Sequence, residues 1–418
     1  MLGLVDGNSF FVSCERVFDP RLHGIPVIVL SSNDGCVIAR SDEAKRLDIA
    51  MGEPAFRIRH LIDRGRVAVR SANFALYADL SRRMMQVLAD QVIACAPYSI
   101  DEAFVELGAG EADALTAHGQ RLRSAVRRWT GIPTAVGIAE TKTLAKLANR
   151  AAKRAGGVCV VPPPGPHRAA WLRGWPVEEV WGVGARTAAA LRELGIADAL
   201  ALTLADDAAL RARLGVVGLR IALELRGEAC LPFAPAPAPR AMITVSRSFG
   251  ERVDELAEAQ RAVAAFAEAA AANLRQDGSA AGALVAWLEP AWTATVRPLP
   301  RSVRRAFAVP TDSTPEIVAA ARAALARAWQ PGLRYAKAGV TLVDLVAAIG
   351  VQQELFAARD RVRERRLMAV CDAVAARHGA AGLRTAAALA PDEARWRARH
   401  ARRSPAFTTD WAQLPVVG

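Results

Sequence analysis

The chain has 418 residues, too many for a single core and enough for three or four domains of ordinary size. With 52% apolar residues, disorder is excluded for most of its length. The absence of any run of about twenty uninterrupted apolar residues, and of a signal-peptide flank and cleavage site at the start, predicts a soluble cytoplasmic protein without membrane attachment. The net charge of +12 points to a polyanionic partner, because each neutralised phosphate releases counterions; a merely solvated basic surface stays open on charge alone.

In chain order, Leu2–Asp6 reads as a short buried strand that ends on a carboxylate. The segment Phe10–Ala72 then intervenes, long enough for a lobe of its own. Leu76, Leu80, Met84 and Val87 keep helical spacing, Ala94–Ser99 and Ala103–Leu107 read as strands around Ile100-Asp-Glu, and Leu115, Leu122, Val126 and Trp129 mark a second helix. A strand at Thr134–Ile138 and a helix from Thr141 complete the order β-α-β-β-α-β, the split βαβ pattern of a ferredoxin-like sheet. Trp171–Arg226 is helical in pattern. Alternating Pro and Ala from Pro232 to Arg240 cannot enter a helix or a sheet interior and marks a semi-rigid linker. Beyond it, strands at Ile243–Phe249, Ala283–Leu288 and Ala338–Val343 alternate with helices carrying Val263, Phe266, Ala270, Leu274 and Val318, Ala321, Leu325, a second and smaller α/β unit. From Ala347 onward an Arg-rich tail is expected, helical or partly disordered. The six cysteines are scattered, with no C-x-x-C pair, which argues against a zinc site or a disulfide framework.

Chemistry concentrates on Asp6 and on Asp101-Glu102. In a split βαβ sheet the strand ending at Asp6 and the turn holding Asp101 and Glu102 can lie side by side. Adjacent residues of a regular strand point to opposite faces, so both acids of the pair share one site only if the backbone bends there. Clustered carboxylates repel unless cations neutralise them, and oxygen ligands of this kind suit Mg²⁺. A solvated acidic turn is the plain alternative. Lys142, Lys146, Asn149 and Lys153 recur on one helical face, opposite Leu144, Leu147, Ala148 and Ala151; for Lys142 and Lys146 a solvated basic face is an equal reading. Val180-Trp-Gly-Val-Gly-Ala-Arg186 reads as a Gly-x-Gly hairpin between two helices, whose Gly182, Gly184 and Arg186 offer phosphate contacts.

The string Tyr98-Ser-Ile-Asp-Glu-Ala-Phe104 resembles the palm motif of the error-tolerant Y-family DNA polymerases, and Leu4-Val-Asp-Gly-Asn-Ser-Phe-Phe11 resembles their first motif. Asn33-Asp-Gly-Cys-Val-Ile-Ala-Arg-Ser-Asp-Glu-Ala-Lys45 and the tail Arg402-Arg-Ser-Pro-Ala-Phe-Thr-Thr409, with Trp411 and Leu414-Pro415, are similar to the UmuC type, the catalytic kind of bacterial DNA polymerase V, rather than to the polymerase IV type. The resemblance covers the whole chain. It implies an α+β right-hand polymerase with a ferredoxin-like palm (1–10 and 74–168), small fingers (11–73), a helix-hairpin-helix thumb (169–231), a linker (232–241), a separate α/β little finger (242–346) and a tail (347–418). It implies template-directed addition of dNTPs to a primer, in translesion synthesis and the SOS response. Two Mg²⁺ ions would be held by Asp6, Asp101, Glu102 and the carbonyl of Gly7. Lys45 and Lys153 would meet the triphosphate, and Ile38 and Ala39 would roof the nascent base pair. Phe11 would lie beneath the sugar and exclude ribonucleotides, although a plain core phenylalanine beside Phe10 is the alternative. Arg247 and Ser248, in Val245-Ser-Arg-Ser-Phe-Gly-Glu251, would touch the DNA backbone. Gln352-Gln-Glu-Leu-Phe356 has the shape of a sliding-clamp ligand, with Gln352 at the rim and Leu355 and Phe356 in the pocket. A processed UmuD dimer and a recombinase filament are the remaining implied partners, beside primer–template DNA. A nucleotide cyclase shares such a palm but needs no inserted lobe, thumb or clamp peptide, and a non-catalytic DNA-binding adaptor typically lacks the three acids.

Overall fold

The computed structural model describes residues 1–234, 239–292, 299–351, 360–379, 382–389, 391 and 394–414. The chain divides into two compact units, residues 1–31 with 35–237 and 401–418, and residues 32–34 with 238–400.

The first unit opens with strand β1 (Leu2–Gly7) and helix α1 (Phe10–Phe18). The inserted lobe follows as β2 (Val27–Leu30), β3 (Val37–Arg40), α2 (Asp42–Lys45), α3 (Arg59–Asp63) and β4 (Ala68–Ser71). Its three strands form a separate sheet in the order β3-β2-β4, over a small core of Ile28, Leu30, Val37, Ile49 and Val69. Then come α4 (Phe74–Ala89), β5 (Ala94–Pro97), β6 (Glu102–Glu106), α5 (Ala112–Thr130), β7 (Thr134–Ala139), α6 (Lys142–Arg154) and β8 (Val158–Val160). The main sheet runs β5-β6-β1-β7-β8. Its first four strands have the ferredoxin-like order, and β8 adds an edge parallel to β7.

The period-two alternation of β1 sorts its side chains between two cores. Val5 faces the core that holds Leu76 of α4 and Leu122 of α5, whereas Leu4 faces the core that holds Leu144 and Leu147 of α6. Asp6, two residues beyond Leu4, therefore shares the α6 face. Helix α6 sits unusually close to β7. A Cβ on Gly137 would lie 2.1 Å from the Asn149 nitrogen and 2.3 Å from the Ala145 carbonyl oxygen. Asn149, read from its spacing as sharing one helical face with Lys142, Lys146 and Lys153, turns into the core instead. It is buried, and its amide donates to the carbonyls of Leu4 (3.1 Å) and Ala135 (2.9 Å), tying helix to sheet. Gly137→Ala is accordingly expected to destabilise the first unit by about 3 kcal/mol, because backbone cannot give way as a side chain can; a melting temperature equal to the parent's in calorimetry would refute the close approach.

Trp129 also departs from the sequence reading. It is 71% exposed, because the buried row of α5 continues from Val126 to Thr130 instead. Helices α7 (Pro166–Arg173), α8 (Ala185–Glu193), α9 (Ala199–Leu204) and α10 (Asp207–Arg226) complete the unit. Leu172, Leu191, Leu202, Leu210 and Leu225 join the α6 core.

The second unit consists of β9 (Ile243–Val253), α11 (Leu256–Gln276), β10 (Ser279–Pro290), β11 (Arg301–Thr311), α12 (Thr314–Ala328), β12 (Tyr335–Ala347) and α13 (Arg361–His378). Its sheet order is β11-β10-β12-β9, antiparallel throughout. The element order repeats β-α-β-β-α-β, yet the strands are arranged differently from those of the first sheet. β11 escaped the sequence reading because it is an edge strand with exposed Arg301, Arg304 and Arg305 in place of an apolar run.

Candidate active site

β1 pairs antiparallel with β6, and the register sets Asp6 directly opposite Glu102 and Leu4 opposite Phe104. Directly opposed residues share a face, so Asp6 and Glu102 both look toward α6. Asp101 lies in the bend just before β6. There its carbonyl accepts from the Gly7 amide at 2.7 Å, and the Ser99 hydroxyl donates to its carboxylate at 2.6 Å. The required backbone bend is thus present at the required residue, and Ser99 holds it by also accepting from the amides of Asp101 and Glu102.

Two lysines of α6 answer the acids. Lys153 pairs with Asp6 at 2.7 Å, and Lys146 pairs with Glu102 at 2.7 Å while its ammonium lies over the rings of Tyr98 (4.5 Å) and Trp181 (5.2 Å). Lys142 instead reaches the Pro232 carbonyl. Burial raises the Asp6 carboxyl pKa, the Lys153 ammonium opposes the rise, and the nearby charges of Asp101 and Glu102 add to it. In this arrangement no three acidic, cysteine or histidine groups gather around one point among the described residues. The two ammonium partners lower the cost of holding Asp6 and Glu102 half-buried. The donors are nonetheless of the right kind for a hard divalent cation, being carboxylate oxygens with neighbouring backbone carbonyls.

A cavity of about 250 Å³ opens beside the acids. It is bounded by Asp6, Gly7 and Asp101, by Ile38, Ala39, Arg40 and Lys45 of the inserted lobe, and by Phe11 and Lys153. Glu102 is not part of this lining. Residues named from distant stretches of sequence are therefore gathered here, and Ser9, Arg40 and Met51 join them without having been foreseen. Ser9 stands in the left-handed region at φ 46°, which is uncommon for a residue with a side chain. Phe11 is half-buried and stacks on Tyr77, with centroids 4.5 Å apart and planes at 15°. Lys45 pairs with Asp42 at 2.6 Å.

Gly182 takes a left-handed φ of 88°, and Gly184 is the N-cap of α8, so the hairpin has the expected turn; the element before it is only a short 3₁₀ turn, Val177–Glu179. Arg186 lies exposed in the first turn of α8. Arg247 and Ser248 lie on β9 opposite Ala338 and Lys337, with Arg247 exposed. Gln352, Leu355 and Phe356 fall outside the described residues, as does Pro415. No helix among the described residues is long and apolar enough to cross a membrane.

This architecture has close counterparts. A Y-family DNA polymerase chimera, Dbh-Dpo4(243-245)-Dbh, superimposes with a TM-score of 0.64 at 18% identity, over 82% of this chain and 99% of that one. The insertion ternary complex of Dbh DNA polymerase gives 0.56 over the same shares. The fold is that of a Y-family polymerase. Residues 5–150 match the impB/mucB/samB family, residues 240–355 match its C-terminal domain, and residues 365–417 match a domain of unknown function, DUF4113. Protein ImpB of Salmonella typhimurium is 38% identical over 100% of this chain and 99% of its own length, and protein UmuC of Salmonella typhimurium strain LT2 is 40% identical over 99% of each. DNA polymerase IV of Moorella thermoacetica is 31% identical over 90% of this chain and 93% of its own. The chain belongs to the impB/mucB/samB family, the UmuC-type branch of the Y-family polymerases.

Proposed function

We propose that this DNA-directed DNA polymerase extends a primer across damaged template, adding dNTPs by metal-assisted phosphoryl transfer in error-prone translesion synthesis and SOS mutagenesis. The observation that carries the reading is the register of Asp6 against Glu102, with Asp101 held in the adjoining bend, beside a cavity bounded by residues of the inserted lobe and Phe11. Asp6, Asp101, Glu102 and the Gly7 carbonyl would hold a pair of Mg²⁺ ions, which when bound activate the attacking hydroxyl and neutralise the leaving pyrophosphate.

The chain's own residues do the rest. Lys153 and Lys45 both border the cavity and balance the triphosphate charge; a point charge follows phosphate oxygens as they move. Ile38 and Ala39 form a small apolar roof that leaves the outer edge of a distorted base pair unopposed. Phe11 blocks a 2′-hydroxyl by bulk alone. Gly182, Gly184 and Arg186 hold DNA through its phosphates, as Arg247 and Ser248 do on the second unit, so binding is independent of sequence and weakens steeply with salt. The Gln352–Phe356 peptide tethers the enzyme to a sliding clamp, and the processed UmuD dimer and the recombinase filament are its further partners.

Primer extension with purified protein, Mg²⁺ and each dNTP tests this reading. Template-directed addition supports it, and a protein that binds primer–template without extending it overturns it in favour of an adaptor. In the same assay Phe11→Ala is expected to raise ribonucleotide insertion relative to deoxyribonucleotide by about a hundredfold, the scale on which a steric pocket discriminates. An unchanged ratio would make Phe11 a core residue.

A further inference from the structure

The last stretch of the chain is built into the unit that carries Phe11. At the end of β4, Ser71 and Arg402 exchange two hydrogen bonds: the Ser71 amide donates to the Arg402 carbonyl at 3.0 Å, and the Arg402 amide donates to the Ser71 hydroxyl at 2.9 Å. Asn73 stands at the N-cap of α4, where an asparagine side chain ordinarily caps its own helix. Here it makes no cap bond. Only 1% exposed, its amide donates instead to the Ser404 carbonyl, the Ser404 hydroxyl and the Pro405 carbonyl at 3.0–3.2 Å, and its oxygen accepts from Arg403. Phe407 stacks on Phe18 with centroids 4.8 Å apart. A buried amide whose partners come from a segment some 330 residues away marks a permanent seat, because leaving it empty would strand the amide without partners.

From this seat a line of contacts runs to the cavity. The Ser404 hydroxyl donates to the Glu15 carboxylate at 3.1 Å, and the Tyr77 hydroxyl donates to the same oxygen at 2.7 Å. Tyr77, fully buried, stacks on Phe11. Burial raises the Glu15 carboxyl pKa, and the bonds from Tyr77 and Ser404 act against that rise; the carboxylate is costly to hold here without both hydroxyls.

We propose that Arg402–Phe407, within the stretch matching a domain of unknown function, is a positioning element for sugar selection: resting on the reading of Phe11 as the sugar gate, Ser404 fixes Glu15, Glu15 fixes the Tyr77 ring, and that ring backs Phe11. None of the three touches substrate. Their effect is geometric, since a supporting shell that loosens a steric residue by about 1 Å is enough to degrade its discrimination.

The test is single-nucleotide insertion on a primer–template with Mg²⁺, comparing kcat/KM for a dNTP and the matching ribonucleotide. Ser404→Ala is expected to raise relative ribonucleotide use by roughly threefold to tenfold, the scale of one ordinary hydrogen bond, while dNTP insertion stays within about threefold. Glu15→Leu should do the same, and Glu15→Gln, which keeps an oxygen for both hydroxyls, should restore parental selectivity. The decisive variant is Phe11→Ala with Ser404→Ala. If the tail acts through Phe11, the double variant matches Phe11→Ala alone. A double variant showing the product of the two single effects would place the action of the tail elsewhere and overturn the proposal. If Phe11→Ala alters the ratio and Ser404→Ala does not, the tail role falls and the gate stands; if Phe11→Ala itself changes nothing, the gate reading falls and the tail role with it. Should Ser404→Ala fail to fold, Phe407→Ala loosens the same segment from its outer end and carries the same comparisons.

Discussion

Asp101→Asn is expected to reduce nucleotide addition by about a thousandfold or more, since loss of one ligand to a catalytic cation costs several kcal/mol of transition-state stabilisation. The substitution is nearly isosteric. The new amide keeps an oxygen for the Ser99 hydroxyl, whose bond to Asp101 holds the bend, and the backbone bond from the Gly7 amide to the carbonyl at this position is untouched. Folding and DNA binding should therefore persist, and the loss should be confined to chemistry. Glu102→Gln should act in the same direction and also release Lys146, whose partner it is. Binding is read by anisotropy on a labelled primer–template, and chemistry by single-turnover extension. Extension by Asp101→Asn within tenfold of the parent rate would remove the carboxylates from the role of metal ligands.

The second large effect concerns Gln352–Phe356. Replacing Leu355 and Phe356 with Ala should leave single-nucleotide insertion on a short primer at low salt unchanged, because Asp6 and Asp101 lie far away in the chain. On a circular template bearing a loaded clamp, near physiological salt, the same protein should lose the clamp's stimulation, by roughly two orders of magnitude. A basic polymerase holds DNA mainly through phosphates, and those contacts weaken steeply as salt rises. A tether to a ring around DNA turns rebinding into an intramolecular event worth about 10²–10⁴ in apparent affinity. Equal stimulation of mutant and parent would make the five-residue match a coincidence. Equal loss on both templates would mean that the segment supports the fold of the second unit.

Much of the site was legible before any fold was known, and the reason is local. A strand ending on Asp6, a bend at Asp101-Glu102 and a helix from Thr141 are each written in a dozen residues or so, because period two and period 3.6 repeat within a single element. Even the condition that the backbone must bend at Asp101 follows from the alternation of a strand, and Ser99 meets it. Where the local pattern was ambiguous the reading faltered. Asn149 sits at helical spacing from three lysines, but Gly137 lets β7 press so near that its amide becomes part of the core. β11 hides its strand character behind arginines that an edge position leaves in solvent.

What the sequence determined by itself is therefore the inventory: one β-α-β-β-α-β unit, a second and smaller α/β unit read without its edge strand β11, a helical segment between them in the chain, three acids and a lysine-bearing helix, and membership of the family through motifs that are contiguous in the chain. What the tertiary structure decided is everything that depends on pairing across long separations. The same element order closes as β5-β6-β1-β7 in one unit and β11-β10-β12-β9 in the other, because order along the chain does not specify which strand edges meet. Asp6 faces Glu102 only through the register of β1 on β6. Ser404 finds Glu15 across 389 residues of sequence, a contact that no periodicity encodes, since it exists only once the fold has brought the two segments together.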